Sequence, residues 1–304
     1  MSSGKSNSME SIVVLTATYN HPEELKKLYG SLKNQQDKRF TWFVVNDGSR
    51  QETVDAITAM QDENALQMKV IHHTNRGKSR SINAALDAMD EGVDFILIID
   101  DDENLNDSAI GIVRKYVEEY KGSECGAIHF NRFDSDKKEI IAYPYFENDF
   151  FMSYQLHKAK KYNADGYVGY FTDKLGSLRF TEFENEKYSG PATLMMKVTS
   201  KSKFLWSHEV LGTTSYLDGG ITKQGRRLRV KNPLSMIEYC TQLQVKDSGL
   251  KYRLGFSMQG FAYMFISKKK YSEIKSLGLE INKLNKLMYF PGLILSIKWK
   301  KYLK

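Results

Sequence analysis

The stretch that most constrains this chain runs from Phe95 to Glu103 and reads FILIIDDDE. Five apolar residues follow one another without alternation, and three aspartates end the run. An uninterrupted apolar segment between polar flanks is the pattern of a strand buried on both faces, as in a parallel sheet with helices above and below. Asp100, Asp101 and Asp102 then stand at the carboxyl end of that strand, where open α/β sheets present ligand-binding residues. Three carboxylates this close repel one another unless a cation holds them. An oxygen-only set suits a hard divalent ion, Mn2+ or Mg2+, shared with substrate phosphates. The plainer reading of the same residues is an acidic loop at the start of the next helix.

Three strand–helix steps precede this one. Residues 12–15 form a short apolar strand ending in Thr16-Ala17-Thr18-Tyr19-Asn20, and Pro22 with Glu23 and Glu24 opens a helix. A second strand, 40–45, ends in Asn46-Asp47-Gly48-Ser49, and a helix is expected over about 51–61. A third, 69–72, leads to Asn75-Arg76-Gly77-Lys78-Ser79-Arg80 and a helix to about Ala88. After the aspartates a helix over 107–120 is expected, capped by Asn106 or Asp107. Strands alternating with helices of this length give a parallel, doubly wound sheet with right-handed crossovers. All four polar clusters then fall along one edge, as a single crevice. Neither GxGxxG nor the GxxxxGKS/T phosphate loop occurs.

The order strand–TATYN, strand–NDGS, NRGKSRSIN, strand–DDD resembles the nucleotide-sugar half of glycosyltransferase family 2, over roughly residues 11–120. The resemblance implies a GT-A fold: a Rossmann-like, mostly parallel sheet flanked by helices. It also implies roles. Thr16, Tyr19 and Asn20 would line the base and ribose pocket. Asp47 would accept hydrogen bonds from the nucleobase, although Asn-Asp-Gly-Ser is also a turn signature. Asn75 and Gly77 would let the backbone approach the nucleotide, and Lys78 and Arg80 would meet its phosphates. Asp102 would hold the metal, and Asp100 the ribose or a metal-bound water. Asp101 belongs to the same nucleotide-binding set, though alternation turns it to the other side of the strand end.

The implied activity is inverting transfer of a sugar from a nucleotide-diphosphate sugar, UDP favoured. The acceptor would be a saccharide or polyprenyl-linked hydroxyl, in bacterial surface-polysaccharide synthesis. An acceptor hydroxyl needs a carboxylate base close by. The family places an acid at a helix start a few residues after an EKY-like element; here Pro191-Ala192 stands there. Glu186 is the first alternative, with Glu184 and Asp218 behind it. His208 would complete a metal shell or cap an element. Arg226, Arg227 and Arg229 would clamp a diphosphate or an acceptor phosphate, or form a solvated loop. A sugar-nucleotide nucleotidyltransferase is the alternative enzyme, but Thr16 to Pro22 lacks its glycine-rich basic loop. A non-catalytic nucleotide-sugar-binding protein is the third reading.

The rest of the chain is less patterned. Runs at 126–130 and 139–142 flank Asp134-Ser135-Asp136-Lys137, a hairpin turn, and 143–183 shows little periodicity. The division expected is a disordered or tag-like 1–10, a transferase domain over 11–250 (donor half 11–120, acceptor half 121–250) and a helical tail over 251–304. That tail holds twelve Lys and Arg against two Glu, so the chain's net charge of +7 resides there and implies no general nucleic-acid affinity. Its last segment, LNKLMYFPGLILSIKWKKYLK, has the pattern of a basic amphipathic helix, for an anionic membrane surface or for packing on the fold or on a second copy. No stretch is long and apolar enough to cross a bilayer. Cys125 and Cys240 fit no metal or redox spacing, which favours a reducing, cytoplasmic setting, with peripheral contact at the inner membrane face.

Overall fold

The computed structural model describes residues 11–214 and 221–303. Strand β1 (Ile12–Thr18), helix α1 (Pro22–Lys33), β2 (Thr41–Asn46), α2 (Gln51–Glu63), β3 (Met68–His72), α3 (Lys78–Asp87) and β4 (Phe95–Ile98) alternate as the sequence predicts. The four strands pair in parallel in the order β3-β2-β1-β4. On one face Leu25, Leu28 and Leu32 of α1 and Ile57 of α2 pack on Ile12, Val14, Trp42 and Val44. On the other, Ile82, Ala85 and Leu86 of α3 pack on Val13, Leu15, Phe43 and Val45. Each fully buried leucine of α1 contributes roughly 2 kcal/mol relative to exposure. Two crossovers thus use one face and the third uses the other. The chain reverses its direction of winding between β1 and β4, and a crevice opens at that point.

Downstream come β5 (Asn104–Leu105), α4 (Ala109–Tyr120), β6 (Cys125–Asp134), β7 (Glu139–Ile140), β8 (Ala142–Tyr143) and β9 (Phe150–Phe151). Helix α4 starts later than predicted, and neither Asn106 nor Asp107 is its cap. The Asp107 carbonyl is held by the Gln36 N–H, and the Asn106 side chain donates to the Val210 carbonyl. The helix's free Ile110 N–H is taken instead by the Gln35 side chain at 2.9 Å. The turn between β6 and β7 is the expected hairpin, with Asp134 accepting the Asp136 and Lys137 N–H groups.

Next follow α5 (Tyr154–Ala159), β10 (Asn163–Ala164), β11 (Gly166–Phe171), α6 (Thr172–Leu175), α7 (Pro191–Val198) and β12 (Lys203–Thr214). Strand β11 lies in the segment without periodicity, yet it occupies the middle of the sheet, antiparallel to β4 on one side and β6 on the other. Gly169 makes that place possible: a β-carbon there would overlap the Phe95 ring. Beyond β6 the sheet continues through β12 to β5, so it is parallel on one side and mixed on the other.

Helices α8 (Ile221–Lys231), α9 (Pro233–Gln242), α10 (Leu250–Ser267), α11 (Tyr271–Ser276) and α12 (Tyr289–Trp299) complete the chain. They enclose a core of their own, with Ile237, Cys240, Phe261, Ile281, Leu284 and Trp299 among its buried residues. Phe183 from the segment before α7 enters the same core. Among the described residues no helix is long and apolar enough to cross a membrane.

Candidate active site

The crevice between β1 and β4 is bridged by the half-exposed His21, whose Nδ1 lies 3.2 Å from both carboxylate oxygens of Asp101. That contact raises the His21 pKa, with burial opposing it. Tyr19 stands at the rim, 46 % exposed. Asn20 adopts a left-handed backbone (φ 58°) and ties the β1 loop to the β2 loop. Its N–H donates to Ser49 Oγ at 3.0 Å, and its Oδ1 accepts the Arg50 N–H at 2.8 Å. Thr16 does not line the crevice, contrary to the sequence-based expectation. It is fully buried, and its hydroxyl accepts the Trp42 indole N–H. It shares strand parity with Ile12 and Val14 and so faces the α1–α2 core.

Asp47 is buried at the end of β2, and both of its oxygens are occupied. Oδ1 accepts the Arg76 N–H at 2.7 Å; Oδ2 accepts the Gly77 N–H at 2.9 Å and Asn75 Nδ2 at 3.2 Å. The His73 ring is 3.4 Å from Oδ1. The carboxylate therefore shapes the 75–77 loop; it does not point free into the crevice. Gly77 has φ 95°, and a β-carbon there would overlap the Lys187 carbonyl. Lys187 reaches back to that loop and donates to Asn75 Oδ1 at 2.8 Å.

The aspartates face this loop. Lys78, at the first turn of α3, forms an ion pair with Asp100. Burial works against both charges, but their mutual attraction prevails: the lysine pKa is raised and the aspartate's lowered. Asp102 is the opposite case. Burial, then repulsion from Asp100 and Asp101, pushes its pKa up, and the pull of Lys78 does not cancel them. Behind them Glu103 is buried, accepts the Asp100 N–H at 3.2 Å and pairs with Arg132 of β6. Arg132 also pairs with Asp165, just ahead of β11. Strand β6 and the residue leading into β11 thereby fix one acidic loop. Sequence reading missed Glu103, Arg132 and Asp165; only Glu103, the fourth acid of its run, carried a signal.

Among the described residues no three His, Cys, Asp or Glu side chains converge as a closed metal cage. The arrangement fits a more open mode, in which Mg2+ or Mn2+ is held by one or two carboxylates and completed by phosphates. Asp102 has the right character for this, since its charge is raised in energy by its neighbours and an added cation relieves that.

A family model described as glycosyl transferase family 2 matches residues 13–178, more than half of the chain. The chain belongs to glycosyltransferase family 2. A search of curated proteins finds no match. Among solved structures, S. aureus TarS in complex with UDP-GlcNAc superposes with a TM-score of 0.63 at 16% identity, covering 95% of this chain and 81% of that one. TarS with UDP gives 0.59 at 17%, covering 95% and 88%. The mannosyltransferase PcManGT from Pyrobaculum calidifontis, with GDP-Man and Mn2+, gives 0.54 at 12%, covering 95% and 87%. At these identities the likeness shows the fold, GT-A.

The remaining candidates of this family 2 chain touch the segment before α7, lie on it or lie beyond it. Arg80 is not free for a phosphate: it donates to the Phe183 carbonyl at 2.7 Å and faces Glu182 at 3.5 Å. Asn83 holds Phe180 by both ends of its amide, at 2.9 Å each. Glu186 is buried against the start of α9, accepting the Leu234 and Ser235 N–H groups at 2.7 and 2.9 Å and the Ser235 hydroxyl at 2.8 Å. Those are the orphan donors of a helix terminus, so the carboxylate acts as a cap. Helix α7 itself begins with Pro191, whose ring suits a first turn and supplies no acid. Asp218 lies outside the described residues. His208 is held by Asp149 at 2.6 Å. Arg226 stacks on Trp299 at 4.0 Å and donates to the Tyr263 hydroxyl at 2.8 Å, so it secures the C-terminal helices; Arg227 is exposed on the same helix.

Glu186→Ala is expected to destabilise the fold by roughly 2–4 kcal/mol, the loss of charge-assisted hydrogen bonds to buried amides. Urea unfolding checks this. An unchanged midpoint would return Glu186 to the catalytic candidates.

Proposed function

We propose that this chain is an inverting, metal-dependent glycosyltransferase. It would move a sugar from a nucleoside-diphosphate sugar to an acceptor hydroxyl, in building a bacterial surface polysaccharide or its lipid-linked precursor. The observation that carries the reading is the facing of the Asp47-clamped loop and the Asp100–Asp102 carboxylates across the β1/β4 crevice. Nucleotides bind at this point of open α/β sheets. The neighbours solved with UDP-GlcNAc and UDP favour uridine, and the one with GDP-Man and Mn2+ supports a divalent ion.

In this reading the Tyr19 ring stacks against the base and the Asn75–Gly77 backbone approaches the nucleotide. Lys78 exchanges its Asp100 contact for the departing diphosphate. Asp102, with Asp100 once Lys78 is drawn off, would hold the ion; a bound divalent cation neutralises charge on the leaving group. Inversion needs one base for one displacement. Because Pro191 opens α7 and Glu186 is committed to α9, the reading assigns no acid of the α7 start to that role. The same two facts favour a second reading, a nucleotide-sugar-binding protein without transferase turnover.

Calorimetric titration with UDP, GDP and dTDP, with and without Mn2+, tests the proposal. Metal-dependent binding of one nucleotide is expected, with affinity falling by roughly 100-fold or more in Asp102→Asn, the scale of a lost charged interaction in a partly buried site. No binding of any nucleotide sinks both readings. Binding without release of free nucleoside diphosphate from any nucleotide sugar, with or without acceptors, selects the second.

A further inference from the structure

Helix α12 has two unlike faces. Gly292, Ser296 and Trp299 are buried against the rest of the C-terminal helices. The opposite side carries Phe290, Ile294 and Ile297 at 72 %, 69 % and 61 % exposure, with Leu287 in the preceding turn at 78 %. Their spacing of three, four and three residues aligns them as one stripe along the helix. This is a contiguous apolar ridge, not scattered single residues.

Charge decides what covers it. Residues 281–304 contain six lysines and no acidic residue. On a helical wheel Lys298 borders the stripe, Lys286 stands in the turn before it, and Lys300 and Lys301 follow at its end; all four are exposed. A two-fold contact between copies would set the same basic borders against each other and repel. An apolar ridge bordered by the lysines of its own segment matches a surface whose interior is hydrocarbon and whose rim is negative. We propose that α12 seats the protein on an anionic lipid bilayer, lying in the interface with Phe290, Ile294 and Ile297 inserted and the lysines at the headgroups. This docking does not depend on the donor-site reading.

The test uses the full chain with sedimented vesicles of phosphatidylcholine alone and of phosphatidylcholine with phosphatidylglycerol. Binding to the anionic vesicles is expected, weakening as salt rises because the lysine attraction is screened. Lys298→Glu with Lys300→Glu should weaken it by more than tenfold, since each lysine near such a surface is worth roughly a factor of five. Ile294→Ser with Ile297→Ser, at sites already in water, should also abolish retention while leaving the unfolding midpoint unchanged. Failure to bind anionic vesicles at low salt overturns the proposal, as does binding that ignores both double variants. Concentration-dependent dimerisation lost in Ile294→Ser would assign the ridge to a second copy instead.

Discussion

Asp47→Ala should abolish measurable nucleotide binding while the chain remains folded. The carboxylate is the sole element holding two consecutive backbone N–H groups, of Arg76 and Gly77, in one direction. Alanine leaves those donors and the Asn75 amide, on a half-buried loop, without their acceptor, and the loop must rotate to find water. Two charge-assisted bonds of this kind are worth roughly 1.5–3 kcal/mol each, so a loss of about 2–4 kcal/mol in stability is expected after relaxation. The loss of binding should be larger than the stability change implies, because the loop's path against Lys187 depends on Gly77 staying in place. Asp47→Asn should do little better: an amide offers one acceptor oxygen, and its NH2 would confront a backbone N–H. Urea unfolding and calorimetric titration separate the two effects. Near-normal nucleotide affinity in Asp47→Ala would remove the loop from the donor site.

Arg132→Met should be the most destabilising single change near the crevice. The guanidinium lies buried between Glu103 and Asp165, and Glu103 is itself buried. Burial and the Asp100 charge already push the Glu103 pKa up, with Arg132 opposing them. Without it a carboxylate remains in a poorly solvated place, a change that typically costs about 3–5 kcal/mol. The cause can be checked by adding Glu103→Gln. An amide needs no counter-ion, so the double variant should recover a large part of the loss, giving a coupling well outside additivity. Simple additivity of the two losses would mean that Arg132 acts through packing alone. The 100–103 loop should slacken with the pair, since Glu103 also accepts the Asp100 N–H.

How far the sequence foretold this site depends on which residues it joins. The parallel half was legible because strands buried on both faces leave long apolar runs, and their polar ends stood out against them. The same property misled on Thr16: with both faces buried, nothing in the pattern tells which parity looks into the crevice. Asp47 and Gly77 stand out in their motifs, yet Asp47 is bound by its own chain, a pairing between loops about thirty residues apart that no local pattern encodes. The Glu103–Arg132–Asp165 network was missed because it depends on where β11 sits. That strand, Gly-Tyr-Val-Gly-Tyr-Phe, has two glycines that weaken its strand signal and are required by its neighbours' bulk. The cap of helix α4 was missed for a similar reason, since the side chain that takes its Ile110 N–H is Gln35, from another part of the chain.

The segment from 180 to 188 has a consequence of its own. It is gripped by Asn83 and Arg80 of α3, rests on the 75–77 loop through Lys187, and enters α9 through Glu186 and through Asn232, whose side chain accepts the Lys187 and Tyr188 N–H groups. One strip of backbone is therefore a seam shared by the β1/β4 crevice and the helical layer. Any coupling carried along it is reciprocal: a change that steadies α9 would tighten the loop by the same factor as steadying the loop would tighten α9. Helix α12 packs on α10 and α10 on α9. Seating at a surface and grasp of a donor would then share one energy term, carried by a segment that belongs to neither.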